Sequence, residues 1–446
     1  MAKQNKEEIL ENLIQAARKA GADAADALLV EGVSAGVSYR LGKLEDVERA
    51  ESRDLGLRVF VGARVAFVSS TDLSEDRLAE LPERAVAMAK LAPEDKYAGL
   101  APRELLARDF PSLDLEDGSE PSTETLIERA KSVEGAAMAV KGITNSEGGG
   151  ASYGRTGIAL ATSEGFRGSY AATSHGIGVA VLAGEGTGME RDYAQSNARH
   201  ASDMETPDVV GKRAGERTIK RLNPRQAKSQ RAPVIYDPRV SASLVGSFAG
   251  AISGASIARG VSFLKDKMGQ AVFGPSINII DDPHRVRGLR SKPFDGEGVA
   301  NRKMALIENG VLTAWLLDTA SARQLGLTTN GHAARGTGGP PSPSTTNLYM
   351  APGKLSPEEL MADIKDGFYV TETMGFGVNG VTGDYSQGAA GFWIENGKIA
   401  YPVSGVTIAS NLKEMFLNLT PANDLEFRHG TNAPTIRVEG MTIAGS

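Results

Sequence analysis

VSASLVGSFAGAISGASIARG, residues 240–260, is the stretch on which the reading of this chain turns. A strand-like run, Pro233-Val234-Ile235-Tyr236, and a turn at Asp237-Pro238 lead into it. The stretch is rich in alanine and serine, with Leu244, Val245, Phe248, Ile252 and Ile257 as its larger apolar groups. Gly246, Gly250 and Gly254 recur every fourth residue and form a smooth face that lets another backbone approach closely. Arg239, Arg259 and repeated serines interrupt the apolar run, which argues against a membrane span. Nothing in the stretch can act as a strong metal ligand, general base or charged acid. It predicts a packing helix at the centre of a strand-rich unit.

The whole chain has 446 residues, enough for more than one domain and a large core. Its 52 glycines predict many turns and tight strand connections. The net charge of -6 is small for this size and weighs against a dedicated nucleic-acid binder. There is no cysteine, so disulfides, thiolate nucleophiles and cysteine metal sites are excluded, as suits a reducing cytoplasm. The opening MAKQNKEEIL carries no apolar secretory region. These features predict a soluble, cytoplasmic protein.

Upstream of the central stretch, residues 5–20 read as an amphipathic helix capped by Asn5 and ended by Gly21. Strands are predicted at 27–32, 37–41 and 44–49, then a hairpin turning at Gly62-Ala63, and a helix over 74–91. Residues 93–121 read as a surface connection, and 122–140 as a helix. Strands are predicted at 157–162, 165–173 and 176–182, followed by a helix over 209–222. The basic run from Lys212 to Arg231 reads as a solvated helix face passing into a linker. Downstream, Ser356, Pro357 and Glu359 form a capping box for a helix closed by Gly367, and Asn396-Gly397 marks a hairpin. The predicted fold is α+β in two domains: an N-terminal antiparallel sheet with helices (1–225), and a strand-rich C-terminal domain (226–446) around the central helix.

Three local patterns invite a chemical reading. Residues 150–154 fit G-x-S-x-G, but both flanks read as strand, whereas a nucleophile elbow needs a strand entering and a helix leaving. Residues 375–380 fit G-x-G-x-x-G, yet no helix follows to receive a pyrophosphate. His175, His200, His284, His332 and His429 are scattered, with His284 beside Asp281 and Asp282 the most ligand-like.

The most specific text is Asp366 to Asn411, DGFYVTETMGFGVNGVTGDYSQGAAGFWIENGKIAYPVSGVTIASN, with Thr346-Asn347-Leu348-Tyr349-Met350 ahead of it. With these segments the chain resembles the TldD/PmbA family over nearly its whole length, and within it the PmbA branch, also called TldE. The resemblance implies a two-subunit zinc peptidase of the cytosol. Its TldD-type subunit carries H-E-x-x-x-H on a helix, supplying two imidazole ligands and a carboxylate that activates the metal-bound water. By register with Arg259-Gly260, Val245 and Gly250 stand where those histidines would be, and Gly246 where the glutamate would be. The family's zinc-ligating cysteine has no counterpart in a chain without cysteine.

The resemblance therefore implies a chain without its own active site, binding no cofactor itself, with zinc expected in a TldD-type partner. Such a subunit would help admit unfolded or leader peptides, and the same pairing geometry would allow a homodimer when it is alone. Gly377, Asn379, Thr382, Gly383, Asp384 and Gly388 are the expected contacts to a peptide or partner; the alternative is that these glycines only make tight turns. Two other classes stay open. One is a DNA gyrase modulator or nucleic-acid-associated protein, resting on the basic run and on Arg285, Arg287, Arg290 and Lys292. The other is a self-sufficient enzyme using Asp281, Asp282 and His284.

Overall fold

The computed structural model describes residues 6–375 and 377–445. Helix α1 (Lys6–Lys19) buries Leu10, Leu13, Ile14 and Ala17 on one stripe, and Gly21 ends it at φ +106°. The expected cap, Asn5, lies outside the described residues. Strands β1 (Ala24–Arg40) and β2 (Lys43–Val61) pair from Ala24 opposite Phe60 to Arg40 opposite Lys43, with one register shift between Ser38 and Tyr39. The three short strands expected here are thus two long ones, turning at Leu41 (φ 47°) and Gly42 (φ 80°). The predicted hairpin is present: β3 (Arg64–Ser70) returns through Gly62 along β2.

Helix α2 (Glu75–Leu91) follows, then α3 (Thr123–Met138), where the Ser122 hydroxyl accepts from the Thr125 amide at 3.2 Å. Strands β4 (Ile143–Thr162), β5 (Arg167–Ala183) and β6 (Glu190–Ala198), then helix α4 (Pro207–Lys220), complete this half. The sheet is antiparallel, in the order β3-β2-β1-β4-β5-β6. Successive strand residues face opposite ways, so Ala25, Ala27 and Leu29 pack with Leu55, Leu57 and Val59 beneath α1 and α2. Further along the same face, Val37, Ala151 and Val179 meet α3 and α4. On the other face, Leu28 and Leu160 pack on Leu106, Phe294 and Val299. Residues 93–121 therefore do not simply run over the surface; Leu100, Ala101, Leu106, Leu113 and Leu115 are buried.

The second half begins with β7 (Gln230–Tyr236), α5 (Pro238–Ala251) and α6 (Gly254–Ala258). Next come β8 (Ile279–Asp281), β9 (Met304–Glu308), β10 (Val311–Leu312), α7 (Thr319–Gln324), β11 (Ala333–Ala334), β12 (Ser342–Pro343) and β13 (Leu348–Met350). The chain ends through α8 (Pro357–Met361), β14 (Asp366–Met374), β15 (Asp384–Glu395), β16 (Lys398–Asn411), α9 (Leu412–Leu417), β17 (Leu419–Pro421), β18 (Thr431–Asn432) and β19 (Ile436–Ala444). One sheet runs β16-β15-β14-β7-β19-β17, and a further β16–β19 pairing closes five of its strands into a ring. The other runs β10-β9-β8-β13-β18. Helix α5 contacts β7 and β14 of the first and β13 and β18 of the second, so one apolar core surrounds it.

The helix expected over 240–260 is interrupted. Leu316 donates to the Ile252 carbonyl at 3.0 Å and accepts from the Gly254 amide at 2.7 Å, which separates α5 from α6. A Cβ on Gly254 would lie 2.7 Å from the Leu316 oxygen, so this glycine does admit a backbone, while Gly246 and Gly250 face open space. The Ser356 capping box forms, but its helix is a single turn; Gly367 stands inside β14 rather than at a helix end.

The halves are joined by buried charge. Asp26 on β1 accepts from Arg58 on β2 (Nε, 2.9 Å) and from Arg335 of the second half (Nη1, 2.6 Å). Glu297, 3.7 Å from Arg58, accepts from the Thr319 amide at 2.8 Å. Among the described residues no helix is long and apolar enough to cross a membrane.

Candidate functional site

Asp237 caps α5 by accepting from the Arg239 amide at 3.0 Å, with Pro238 in the first turn. The inner face buries Val240, Leu244, Val245, Phe248 and Ala251, and Phe248 meets Phe273 and Phe416 edge-on. The outer face carries Ser243, Gly246, Ser247 and Gly250. Both serine hydroxyls donate back into the helix, Ser243 to the Val240 carbonyl (2.7 Å) and Ser247 to the Ser243 carbonyl (2.9 Å). Of the three positions aligned to zinc-site residues, Val245 is in the core while Gly246 and Gly250 look outward. No side chain on α5 has a donor of the kind that binds zinc firmly. Among the described residues no group of three or more His, Cys, Asp or Glu is arranged to hold a metal ion. The side chains on α5 do not fit a zinc site of the H-E-x-x-x-H kind.

The histidines are dispersed. His175 is buried against Tyr153, its Nε2 3.1 Å from Asp117; the Nε2 of His332 lies 3.4 Å from Asp281. The trio proposed as an alternative active site serves the fold. Asp281 is buried and accepts from the Thr346 amide (2.7 Å), Asp282 accepts from the His284 amide (3.1 Å), and His284 Nε2 is 2.7 Å from Asn301. The G-x-S-x-G serine, Ser152, sits in the middle of β4.

The glycine-rich segment forms the far end of the β14–β15 hairpin. Asn379 Oδ1 accepts from the Val381 and Thr382 amides at 2.9 and 3.3 Å, and the Gly383 amide donates to the Asn379 carbonyl at 2.8 Å. The Thr382 hydroxyl donates to Asp384 at 2.6 Å and holds its carboxyl below the usual carboxylate range, with Asn411 assisting. The Ser386 amide donates to the Gly377 carbonyl at 2.7 Å, and Gly388 pairs with Met374. The structure thus brings five of the six expected contact residues into one self-bonded turn and leaves Gly388 further down the strand. Met374, Val378 and Val381 are exposed beside them. Phe376 of the G-x-G-x-x-G match lies outside the described residues.

A groove that sequence reasoning missed runs between the halves along β6, which is an edge strand. Its largest part, about 540 Å³, lies between Tyr193 to Gln195, the α4 residues Arg213 and Arg217, the start of α5, and residues 424–433. A neighbouring lobe of about 530 Å³ shares Arg217, Asp237, Arg239 and Tyr369 with it. Arg213 grips Glu205 with both terminal nitrogens (2.8 and 2.6 Å), and Arg428 reaches the same carboxylate at 2.7 Å. The Arg213 bond leads in holding Glu205 below its ordinary range. Arg239 pairs with Asp192 (2.8 Å) and Asp237 (3.3 Å). The basic run is accordingly not just a solvated face: Arg213 and Arg217 line the groove, and Arg221 pairs with Glu372 at 2.6 Å. In the second basic cluster, Arg287 pairs with Asp114 and Asp203, and half-buried Lys292 donates to the Ala333 carbonyl.

Family models for the PmbA/TldA metallopeptidase match the chain in three parts: domain 1 at residues 25–89, the central domain at 116–222 and the C-terminal domain at 229–445. It is 40% identical over 425 residues to "Metalloprotease PmbA" of Escherichia coli O157:H7, covering 95% of this chain and 92% of that one. To the "Metalloprotease PmbA homolog" of Haemophilus influenzae it is 36% identical, covering 97% and 94%. Two solved structures share the fold. One is a candidate modulator of DNA gyrase from Bacteroides thetaiotaomicron (TM-score 0.91, 24% identity, 100% of both chains). The other is TldE from Thermococcus kodakarensis (TM-score 0.87, 22% identity, 98% and 99%). The chain therefore belongs to the PmbA/TldD metallopeptidase family.

Proposed function

We propose that this chain is a non-catalytic, TldE-type subunit that pairs with a TldD-type catalytic subunit in a cytoplasmic zinc peptidase acting on unfolded or leader peptides. The observation that carries the reading is the outer face of α5. Where a catalytic relative needs two imidazoles and a carboxylate, this helix offers two glycines and two serines whose hydroxyls are bonded to its own backbone. Val245, one of the aligned histidine positions, is in the core, so a histidine there would also have to displace packing. The exposed Met374, Val378 and Val381 on the β14–β15 hairpin offer an apolar surface for a partner.

Reconstitution tests the reading. The chain is mixed with the HExxxH-bearing relative from the same source, and hydrolysis of an unstructured peptide is followed for each chain and for the pair. The expected result is no hydrolysis by this chain alone and chelator-sensitive hydrolysis by a co-eluting pair. Hydrolysis by this chain alone would overturn the proposal.

A further inference from the structure

Within the groove along β6, Arg217 is a partly buried cation that no carboxylate of the fold pairs with, among the described residues. Arg217 projects from α4 between Arg213 and Arg239, and both of those are paired with carboxylates. Arg217 has no ion pair among the described residues; its Nη1 donates to the Tyr193 carbonyl at 3.3 Å, a long bond. Burial, and after it the neighbouring Arg239, lower its pKa, so an anion placed there would relieve an unfavourable charge.

The lobe that Arg217 shares has a definite chemistry. Three cations line it (Arg217, Lys220 and Arg239) against two carboxylates, Asp192 and Asp237. Both carboxylates are already engaged by Arg239, and Asp237 also accepts from the Tyr369 hydroxyl at 3.2 Å. The lining also includes the apolar Phe392, Ile399 and Pro402 and the ring of Tyr401, with Ile399 exposed. The excess of one positive charge suits a monoanion, and a planar guanidinium matches a carboxylate with two parallel bonds. A lobe of about 530 Å³ holds a terminal side chain beside that carboxylate.

We infer that Arg217 anchors a peptide carboxylate in this lobe, specifically the C-terminal carboxylate of an extended peptide whose last side chain is apolar and rests on Phe392 and Ile399. This rests on the peptide-handling role proposed above.

The test uses the full chain and a fluorescein-labelled, unstructured Gly/Ser peptide ending in Leu-Phe, with binding followed by anisotropy. Three probes are compared: the free acid, the C-terminal amide, and an amide carrying an internal aspartate. The expected result is that the free acid binds on the order of tenfold more tightly than either amide. Arg217→Met, which keeps the apolar stem, should remove that preference and leave amide binding unchanged. Arg217→Lys should retain part of it, and unchanged thermal unfolding of both variants shows that they fold. Equal binding of acid and amide by the natural chain, or a preference that survives Arg217→Met, would overturn the inference. Tight binding of the aspartate-bearing amide would overturn its assignment to a chain terminus. The reconstituted pair separates this from the functional reading, because an active pair with an indifferent Arg217 refutes only the anchor.

Discussion

Arg335 and Asp26 meet across the two halves of the molecule, Nη1 to Oδ1 at 2.6 Å, with both side chains buried. The second oxygen of Asp26 takes Arg58, also buried. Burial alone would raise the Asp26 pKa, but Arg335 and Arg58 outweigh it and hold the carboxyl below its usual range. One carboxylate thus bridges two buried arginines from different parts of the chain, with Glu297 as a further acidic group 3.7 Å from Arg58. Removing Asp26 leaves Arg335 buried without an ion pair among the described residues and Arg58 with only Glu297, so Asp26→Ala should cost about 3–5 kcal/mol in urea unfolding. Replacing the cross-domain pair by Asp26→Leu with Arg335→Met leaves only Arg58 to Glu297. It should unfold at higher urea than Asp26→Ala, and the reverse order would show that the charges contribute little.

Glu297 beside this cluster gives a pH dependence with a definite sign. Burial raises its pKa to about 7, opposed by Arg58 and reinforced by Asp295. The folded state therefore holds this proton more tightly than the unfolded chain, whose glutamates titrate near 4.3. The resulting stabilisation is complete below the unfolded pKa and is lost as pH rises through about 7. Thermal unfolding of the natural chain should weaken between pH 6 and pH 8 by on the order of 1–3 kcal/mol. Glu297→Gln keeps an acceptor for the Thr319 amide and should flatten that decline. Parallel curves for the two proteins would rule out Glu297 as its source.

The helix glycines should respond in opposite directions. A methyl group on Gly254 would be driven to 2.7 Å from the Leu316 carbonyl, so Gly254→Ala should destabilise by about 1–3 kcal/mol. Gly246 is helical and faces open space, so Gly246→Ala should stabilise the isolated chain by about 0.5–1 kcal/mol. If a partner or peptide lies against this face, Gly246→Leu should lower the activity of the reconstituted pair while leaving the chain's own unfolding nearly unchanged. Full activity of that pair would place the partner elsewhere.

The elements legible in the sequence are those whose side chains repeat at one period. Leu10, Leu13, Ile14 and Ala17 announce α1, and Leu55, Leu57 and Val59 announce the second half of β2. Strand β6 was invisible because its buried positions are Asp192, Ala194, Ser196 and Ala198, small or polar groups that make no apolar alternation. The first half of β4 was hidden by Gly148, Gly149 and Gly150, which have low strand propensity; at Gly149 the main chain lies directly under Ala130 of α3. The break between α5 and α6 depends on Leu316, more than sixty residues downstream, and no local signal reports it.

The site divides along the same line. That α5 lacks zinc-binding side chains is a property of its composition and was readable at once. The groove was not, because it gathers residues near 193, 217, 237 and 428, and the arginines facing it look in sequence like a solvated basic run. The hairpin residues Thr382 and Asp384 could be picked out by resemblance, but that their polar groups bond to each other and to Asn411 required coordinates.

The central claim is that this chain supplies no zinc ligands. The most direct measurement is zinc content, by elemental analysis, of each subunit after an active complex is dissociated under mild conditions without chelator. The account predicts that zinc stays with the HExxxH-bearing chain and that this chain carries none, even after dialysis against zinc. Stoichiometric zinc on this chain, lost on chelation together with peptidase activity, would contradict it.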